Sequence, residues 1–240
     1  MVPTLIANAY LIGDRESWVL IDACTPGNEM RIQRAAERRF GRGIRPRAIL
    51  LTHGHFDHAG SAGALADVWD VPIYAHGREL PFVTGGAHYP PFDLSSPGFF
   101  TRIARFFPTQ TVNLGGRVRQ FEASLADWEM IETPGHTPGH VAFFRRSDGV
   151  LLAGDAVTTM NLDRFWDTIL RRKRLCRPPT PATMNWEDAR RSMEALASLR
   201  PSVVAAGHGL PMRAGAEDWS RLAEEFSPRR KSSYRSNRTG

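Results

Sequence analysis

The chain has 240 residues, a net charge of +6 and a pI of about 10, a size that fits one large domain or two small ones. Apolar residues make up 42%, enough for a substantial core, so a disulfide scaffold is not required. The two cysteines, Cys24 and Cys176, stand outside any Cys-x-x-Cys spacing and suit a reducing compartment without a structural disulfide.

In chain order, Met1 to Ile6 carries no basic leader and no cleavage-site pattern, and no uncharged apolar run approaches bilayer-spanning length. A soluble cytoplasmic protein with no membrane partner is therefore expected. Leu5 to Ile12 and Trp18 to Ile21 read as a hairpin around Gly13-Asp14. Asn28 is placed to cap a helix running to Phe40 and ended by Gly41 and Gly43. Arg47 to Leu51 reads as a buried strand, Gly60 to Trp69 as a helix and Pro72 to Tyr74 as a strand. This alternation argues for an α/β domain. From 77 to 116 the regularity fails, with breaker clusters at 84–91 and 95–98 and Phe92, Phe99, Phe100, Phe106 and Phe107 around them. Such a segment reads as a lid-like insertion whose aromatics wall a substrate pocket, bury a homodimer contact or pack on their own domain.

Strands resume at Val118 to Phe121, Glu129 to Ile131, Val141 to Phe144 and Val150 to Leu152. A second insertion, rich in Arg and Pro, spans 159–181. A helix from Trp186 to Leu199, capped by Asn185, precedes a last strand at Val203 to Ala206 and a last helix at Ala216 to Phe226. Both halves run strand-rich and then helical, which permits a layered αββα sandwich. One hydrolase domain over 1–227 is expected, followed by a basic, disordered tail at 228–240. Lysine occurs only twice, at 173 and 231, so 29 of the 31 basic residues are arginine. Such lopsided usage reads as compositional bias, and nucleic acid is not an expected partner.

The chemistry is concentrated in His53-Gly54-His55-Phe56-Asp57-His58, which reads as the loop directly after the apolar run Ala48 to Leu51. Imidazoles and a carboxylate suit a borderline divalent ion. With 8 His and 13 Asp in the chain, this spacing arises by chance in roughly one chain in two thousand, so it is a strong motif. Three further candidates each follow a glycine: His136 in Pro134-Gly135-His136, Asp155 in Gly154-Asp155, and His208 in Gly207-His208. Asp155 and His208 end apolar strands, where glycine lets the backbone bend into a shared cleft. Seven such ligands are too many for one tetrahedral zinc and suit two sites sharing a carboxylate and a water. No Gly-x-Ser-x-Gly elbow supplies a side-chain nucleophile. His140 and His76 read as supporting or structural residues. Asp22 is a candidate to orient a ligating imidazole, and His88 and Tyr89 stand in the insertion within reach of a substrate.

On these residues the chain resembles the metallo-β-lactamase-fold hydrolase superfamily. The likeness runs over most of the length: the entry hairpin from Asn8 to Asp22, His-x-His-x-Asp-His, the Pro-Gly-His turn, the Gly-Asp strand end and the late Gly-His, in the family's order. It implies a four-layer αββα sandwich with a metal pair at the sheet edges. Carried over, His53, His55 and His136 hold the first metal. Asp57, His58 and His208 hold the second, Asp155 bridges the two, and Asp57 and Asp155 are the carboxylates of the catalytic centre. Two Zn2+ per chain are expected, with Fe or Mn compatible with the same ligands. The implied activity is hydrolysis of a small-molecule ester, thioester or lactone. Glyoxalase-II-like thioesterases and lactonases resemble this ligand set, in which Asp155 bridges. Two departures leave the substrate open: only about thirty residues follow His208, where glyoxalase-II-like enzymes carry a helical domain, and Ala156-Val157-Thr158 lacks the tyrosine of many lactonases. The rival readings are a mononuclear iron persulfide dioxygenase, a minor β-lactamase activity and a metal-dependent RNA nuclease.

Overall fold

A computed structural model describes residues 1–4, 6–108, 112–121, 125 and 127–226. The expected disordered tail at 228–240 lies outside the described residues.

Among the described residues, eleven strands form two sheets. The first contains β1 (Val2–Pro3), β2 (Asn8–Gly13), β3 (Trp18–Ile21), β4 (Ile49–Leu50), β5 (Ile73–Ala75) and β6 (Val118–Gln120), in that order across the sheet. The second contains β7 (Glu129–Glu132), β8 (Val141–Arg145), β9 (Val150–Gly154), β10 (Val203–Ala206) and β11 (Met212–Arg213), ordered β11-β10-β9-β8-β7. Pairing is mixed: β3 through β6 run parallel, as do β9 and β10, while the hairpins β2–β3, β7–β8 and β8–β9 are antiparallel. The helices are α1 (Glu29–Phe40), α2 (Phe56–Ala59), α3 (Ala62–Trp69), α4 (Leu80–Val83), α5 (Phe99–Ala104), α6 (Phe165–Ile169), α7 (Trp186–Ser198) and α8 (Ala216–Phe226).

Three apolar cores separate four layers, and the strand pattern explains why. Successive side chains point to opposite faces of a strand, and the central strands are covered on both faces, so they read as unbroken apolar runs. In β3, Trp18 and Leu20 pack with Ile32, Phe40 and Leu65 under α1 and α3, while Val19 and Ile21 enter the core between the sheets. In β8 and β9, Phe143 and Leu152 enter that central core, and Ala142, Phe144, Leu151 and Ala153 face Met193, Leu196, Trp219 and Leu222 of α7 and α8. The architecture is thus the αββα sandwich.

Several local features differ from the sequence reading. Asp57 and His58 sit on the short helix α2 rather than in an open loop, so that only His53 and His55 precede the first helical turn. Four residues are too few for a periodic signal. The Asn28 side chain does not cap α1; its amide donates to the carbonyl and hydroxyl of Thr25, at 3.1 and 2.7 Å. Asn185 does cap α7, accepting from the backbone N–H groups of Glu187 and Asp188. The edge strands β1 and β11 are two residues each and left no alternation to read. Cys24 and Cys176 are free and buried, and burial pushes each thiol up to about 12. Among the described residues no helix is long and apolar enough to cross a membrane.

Candidate metal centre

All seven predicted side chains meet in one crevice at the ends of the two sheets. His53 and His55 follow β4, Asp57 and His58 ride on α2, and His136 lies in the turn between β7 and β8. Asp155 directly follows β9, and His208 follows the neighbouring parallel strand β10 after Gly207. Such C-terminal ends are where open α/β sheets present their ligand sites. Two glycines are needed for this approach. A Cβ on Gly207 would lie 2.1 Å from Asp155 Oδ1 and 2.5 Å from His58 Cε1. Gly154 adopts φ +50°, and a Cβ there would lie 2.6 Å from His140 Nε2.

The donor atoms form three trios, each with its atoms within 4.8 Å of one another: His53/His55/His136, His53/His58/Asp155 and Asp57/His58/His208. In the first, His55 Nδ1 stands 3.1 Å from His53 Nε2 and 3.0 Å from His136 Nε2. Donors bound at 2.0–2.1 Å around a tetrahedral ion are about 3.3 Å apart, so this spacing fits a cation between them. Across the trios, Asp155 Oδ2 lies 3.5 Å from His136 Nε2 and 3.0 Å from His208 Nε2, facing both ends of the cluster. Asp57 Oδ2 is 3.6 Å from His208 Nε2 and 3.9 Å from His58 Nε2. His58 Nε2 and Asp155 Oδ1 are buried with no hydrogen-bond partner, 3.5 Å apart. Orphaned buried donors and acceptors are costly unless an ion or water completes them, so the residues present fit a bound metal.

The outward ring nitrogens of His53, His58, His136 and His208 are held by neighbours, which fixes their tautomers. Asp22, at φ 57°, accepts from the Thr52 N–H at 2.8 Å and the Thr52 hydroxyl at 2.9 Å. With its proton given to Asp22, the Thr52 hydroxyl accepts from His53 Nδ1 at 3.0 Å, leaving the Nε2 lone pair facing inward. His58 Nδ1 lies 2.8 Å from the same Asp22 carboxylate, and His208 Nδ1 is 2.8 Å from the Ile6 carbonyl. His136 Nδ1 faces the Thr183 hydroxyl at 3.3 Å. This arrangement of backing partners orients imidazoles toward a cation. His140 instead serves the backbone. Its Nε2 accepts from the Asp155 N–H at 2.9 Å and its Nδ1 donates to the Thr133 hydroxyl at 2.7 Å, pinning the end of β9.

Electrostatics divides the cluster into two halves. Burial, reinforced by neighbouring imidazoles, holds His53 and His136 well below the ordinary histidine range. Burial likewise brings His55 down to about 4 and His140 down to about 3. In the other half, burial opposes charge on His58 and His208, but Asp155 and the nearby Asp57 overcome it and raise both, with Asp22 adding to His58. Burial also opposes ionisation of Asp155, yet His208 and His58 hold it well below the carboxylate range. The three imidazoles of the first trio thus offer free lone pairs at neutral pH, and the second half gathers charge around Asp155.

A residue that the sequence reading passed over ties the site together. Glu79, fully buried just before α4, accepts from the Gly54 N–H at 2.9 Å and the Gly139 N–H at 2.7 Å. The Tyr89 hydroxyl also donates to it. One carboxylate therefore joins the His53–His55 loop to the turn carrying His136. The Tyr89 ring lies 4.5 Å from that of His55 and stacks on Phe82 at 4.3 Å. His88 is exposed. His76 lies 3.5 Å from Glu132, away from the seven-residue cluster.

An αββα sandwich whose sheet ends gather five imidazoles and two carboxylates is the scaffold of a metal-dependent enzyme. The Metallo-beta-lactamase superfamily model matches residues 2–208, and the chain belongs to that superfamily. The Probable metallo-hydrolase YflN of Bacillus subtilis (strain 168) is 40% identical over 216 residues, which is 86% of this chain and 82% of YflN. The Hydroxyacylglutathione hydrolase GloC of Haemophilus influenzae is 29% identical over 151 residues, or 62% of this chain and 66% of GloC. Among solved structures, TTHA1623 in a di-iron-bound form superposes with a TM-score of 0.62 and 28% identity, covering 92% of this chain and 95% of that one. The protein is therefore a metallo-hydrolase-family enzyme with a candidate His/Asp metal site.

Proposed function

We propose that this protein is a dinuclear-metal hydrolase of a carboxylic ester, thioester or lactone, with residues 1–227 as one catalytic domain and 77–116 as its lid-like insertion. The observation that carries the reading is the convergence of seven buried or half-buried side chains around two unpartnered atoms, His58 Nε2 and Asp155 Oδ1. His53, His55 and His136 would hold one ion, Asp57, His58 and His208 the other, with Asp155 between them. Five imidazoles and two carboxylates suit Zn2+, and iron is the alternative suggested by the di-iron form of TTHA1623. When bound, two such ions supply a water acidic enough to ionise near neutral pH and polarise a carbonyl oxygen.

The chain's own contribution is orientation and proton handling. Asp22 and Thr52 fix the rings of His58 and His53, and the Ile6 carbonyl fixes His208. Asp57 lines the mouth of the crevice with a carboxylate that can take a proton from the attacking water and return it to the leaving group. No Ser, Thr or Tyr side chain lines the crevice among the described residues, so water is the nucleophile that this site can use. No Lys or Arg lines it either, which weighs against a phosphodiester substrate and an RNA nuclease. The three-residue group Asp57/His58/His208 supports two ions over a mononuclear iron dioxygenase.

The test is metal analysis of the purified protein, followed by a screen of esters, thioesters, lactones and β-lactams. Two ions per chain with carbonyl hydrolysis is the expected outcome. A single iron, with oxygen uptake on glutathione persulfide and no hydrolysis, would replace this reading by the dioxygenase.

A further inference from the structure

The crevice has two chemically opposed walls. One is the His/Asp cluster. The other is hydrocarbon: Ile6, Phe56, Phe92, Phe100, Phe107 and Pro179 line the space in front of it. The rings of Phe56 and Phe107 are 5.7 Å apart and those of Phe100 and Phe107 5.9 Å, so the aromatics form one continuous surface. Phe92 is anchored beside it, because the adjacent Asp93 N–H bonds to the Pro181 carbonyl at 2.8 Å, next to Pro179. The enclosed part of the crevice is small, about 20 Å³, room for a water or two, and the remainder is open. The chain carries 31 Lys and Arg, yet among the described residues none lines this space. Among the described residues, its polar lining side chains all belong to the seven-residue cluster.

We infer that the site takes acyl groups that are apolar and uncharged, lodged against Phe92, Phe100 and Phe107, in preference to acyl groups bearing a carboxylate. The inference rests on the hydrolase reading above and names its substrate class. A charged acyl tail would lose its hydration against phenyl rings with no cation to meet it. An alkyl tail gains with each methylene removed from water, which is about fourfold in affinity or rate constant per methylene. The gain stops where the chain outgrows the crevice. The reaction is simple hydrolysis: water adds to the acyl carbon, its bond to oxygen or sulfur breaks, and the products are the carboxylic acid and the alcohol or thiol.

The experiment is kcat/KM of the metal-loaded protein on p-nitrophenyl acetate, butyrate, hexanoate and octanoate, with the hemisuccinate as the charged partner of butyrate. We expect a rise of up to about fourfold per methylene from acetate to hexanoate, with hemisuccinate at least tenfold below butyrate. Phe100→Ala and Phe107→Ala should each lower the hexanoate-to-acetate ratio. Equal rates on acetate and hexanoate, or a preference for hemisuccinate, overturn the inference and leave the hydrolase reading standing. Failure to cleave any member counts against the hydrolase reading. Calorimetry of acetate, butyrate and hexanoate binding to the loaded protein then decides the inference: tightening with chain length supports it, and equal affinities refute it.

Discussion

Glu79 offers the sharpest test of how the site is held together. Its carboxylate sits between two loops that approach from opposite sheets, and it is their shared acceptor. Glu79→Gln keeps the volume but replaces one oxygen by an NH2 group, which faces either the Gly139 N–H or the Gly54 N–H, and only the latter keeps a second acceptor, the Tyr89 hydroxyl at 3.1 Å. Leaving one buried N–H unpaired costs about 1–3 kcal/mol. For a domain of this size that lowers Tm by roughly 2–12 °C. Glu79→Ala orphans the Gly139 N–H, takes the acceptor from the Tyr89 hydroxyl and leaves the Gly54 N–H only its 3.1 Å bond to that hydroxyl, and should cost roughly 2–5 kcal/mol, allowing for water entering the space. Because the clamp orients His55 and His136 together, metal affinity should fall about tenfold or more in the Gln variant. The assays are thermal unfolding of the metal-free and metal-loaded protein, and competition with a chelator of known affinity. A Glu79→Ala protein that melts within a degree of the parent and binds metal as tightly would refute the clamp.

Other perturbations probe the remaining contacts. Gly207→Ala places a Cβ 2.1 Å from Asp155 Oδ1; metal binding should be lost or severely weakened, and unaltered metal content would show that the close approach is not required. Asp22→Asn removes the acceptor that serves His58 and Thr52 together, and should weaken metal binding about 10–100-fold, measured by the same chelator competition; an unchanged affinity would count against its orienting role. His208→Ala should retain one ion and lose the second, read as metal per chain, and retention of both ions would exclude His208 as a ligand. The metal-free protein should be acid-labile. His55 and His140 titrate at about 4 and about 3 in the fold, below the value of about 6.5 in an unfolded chain. Their contribution is complete above pH 6.5 and is lost as the pH falls, by about 3 kcal/mol for His55 alone near pH 4. His58 and His208 are raised, so their contribution is present in acid and lost as the pH rises, a partial offset. Urea unfolding at pH 7 and pH 4.5 measures the balance, and a midpoint that holds or rises at pH 4.5 contradicts it.

Much of the candidate site was legible because its chemistry is local. His53, His55, Asp57 and His58 crowd six residues, and His136, Asp155 and His208 each announce themselves by the glycine before them. The need for those glycines is visible in the fold, where Gly207 and Gly154 give way to Asp155 and His140. The central strands were legible because burial on both faces makes them continuous apolar runs, as in β3 and β8. What escaped was long-range or very short. Glu79 has an unremarkable setting in Gly77-Arg78-Glu79-Leu80, and nothing local tells that its partners are Gly54 and Gly139, 25 and 60 residues away. Helix α2 spans a single turn, and Asn28 has a capping residue's identity but spends its amide on Thr25. The phenylalanines of 77–116 were visible as a cluster, but which of them face the crevice depends on a chain path that periodicity does not encode. Phe100 and Phe107 line it, and Phe106 is 80% exposed.

The most direct measurement is the metal stoichiometry of the purified, fully loaded protein by elemental analysis, alongside the same measurement on Asp155→Ala. Two divalent ions per chain in the parent, with Asp155→Ala losing at least one of them, is the expected result. One ion per chain in the parent, unchanged in Asp155→Ala, would contradict a pair of cations sharing that carboxylate.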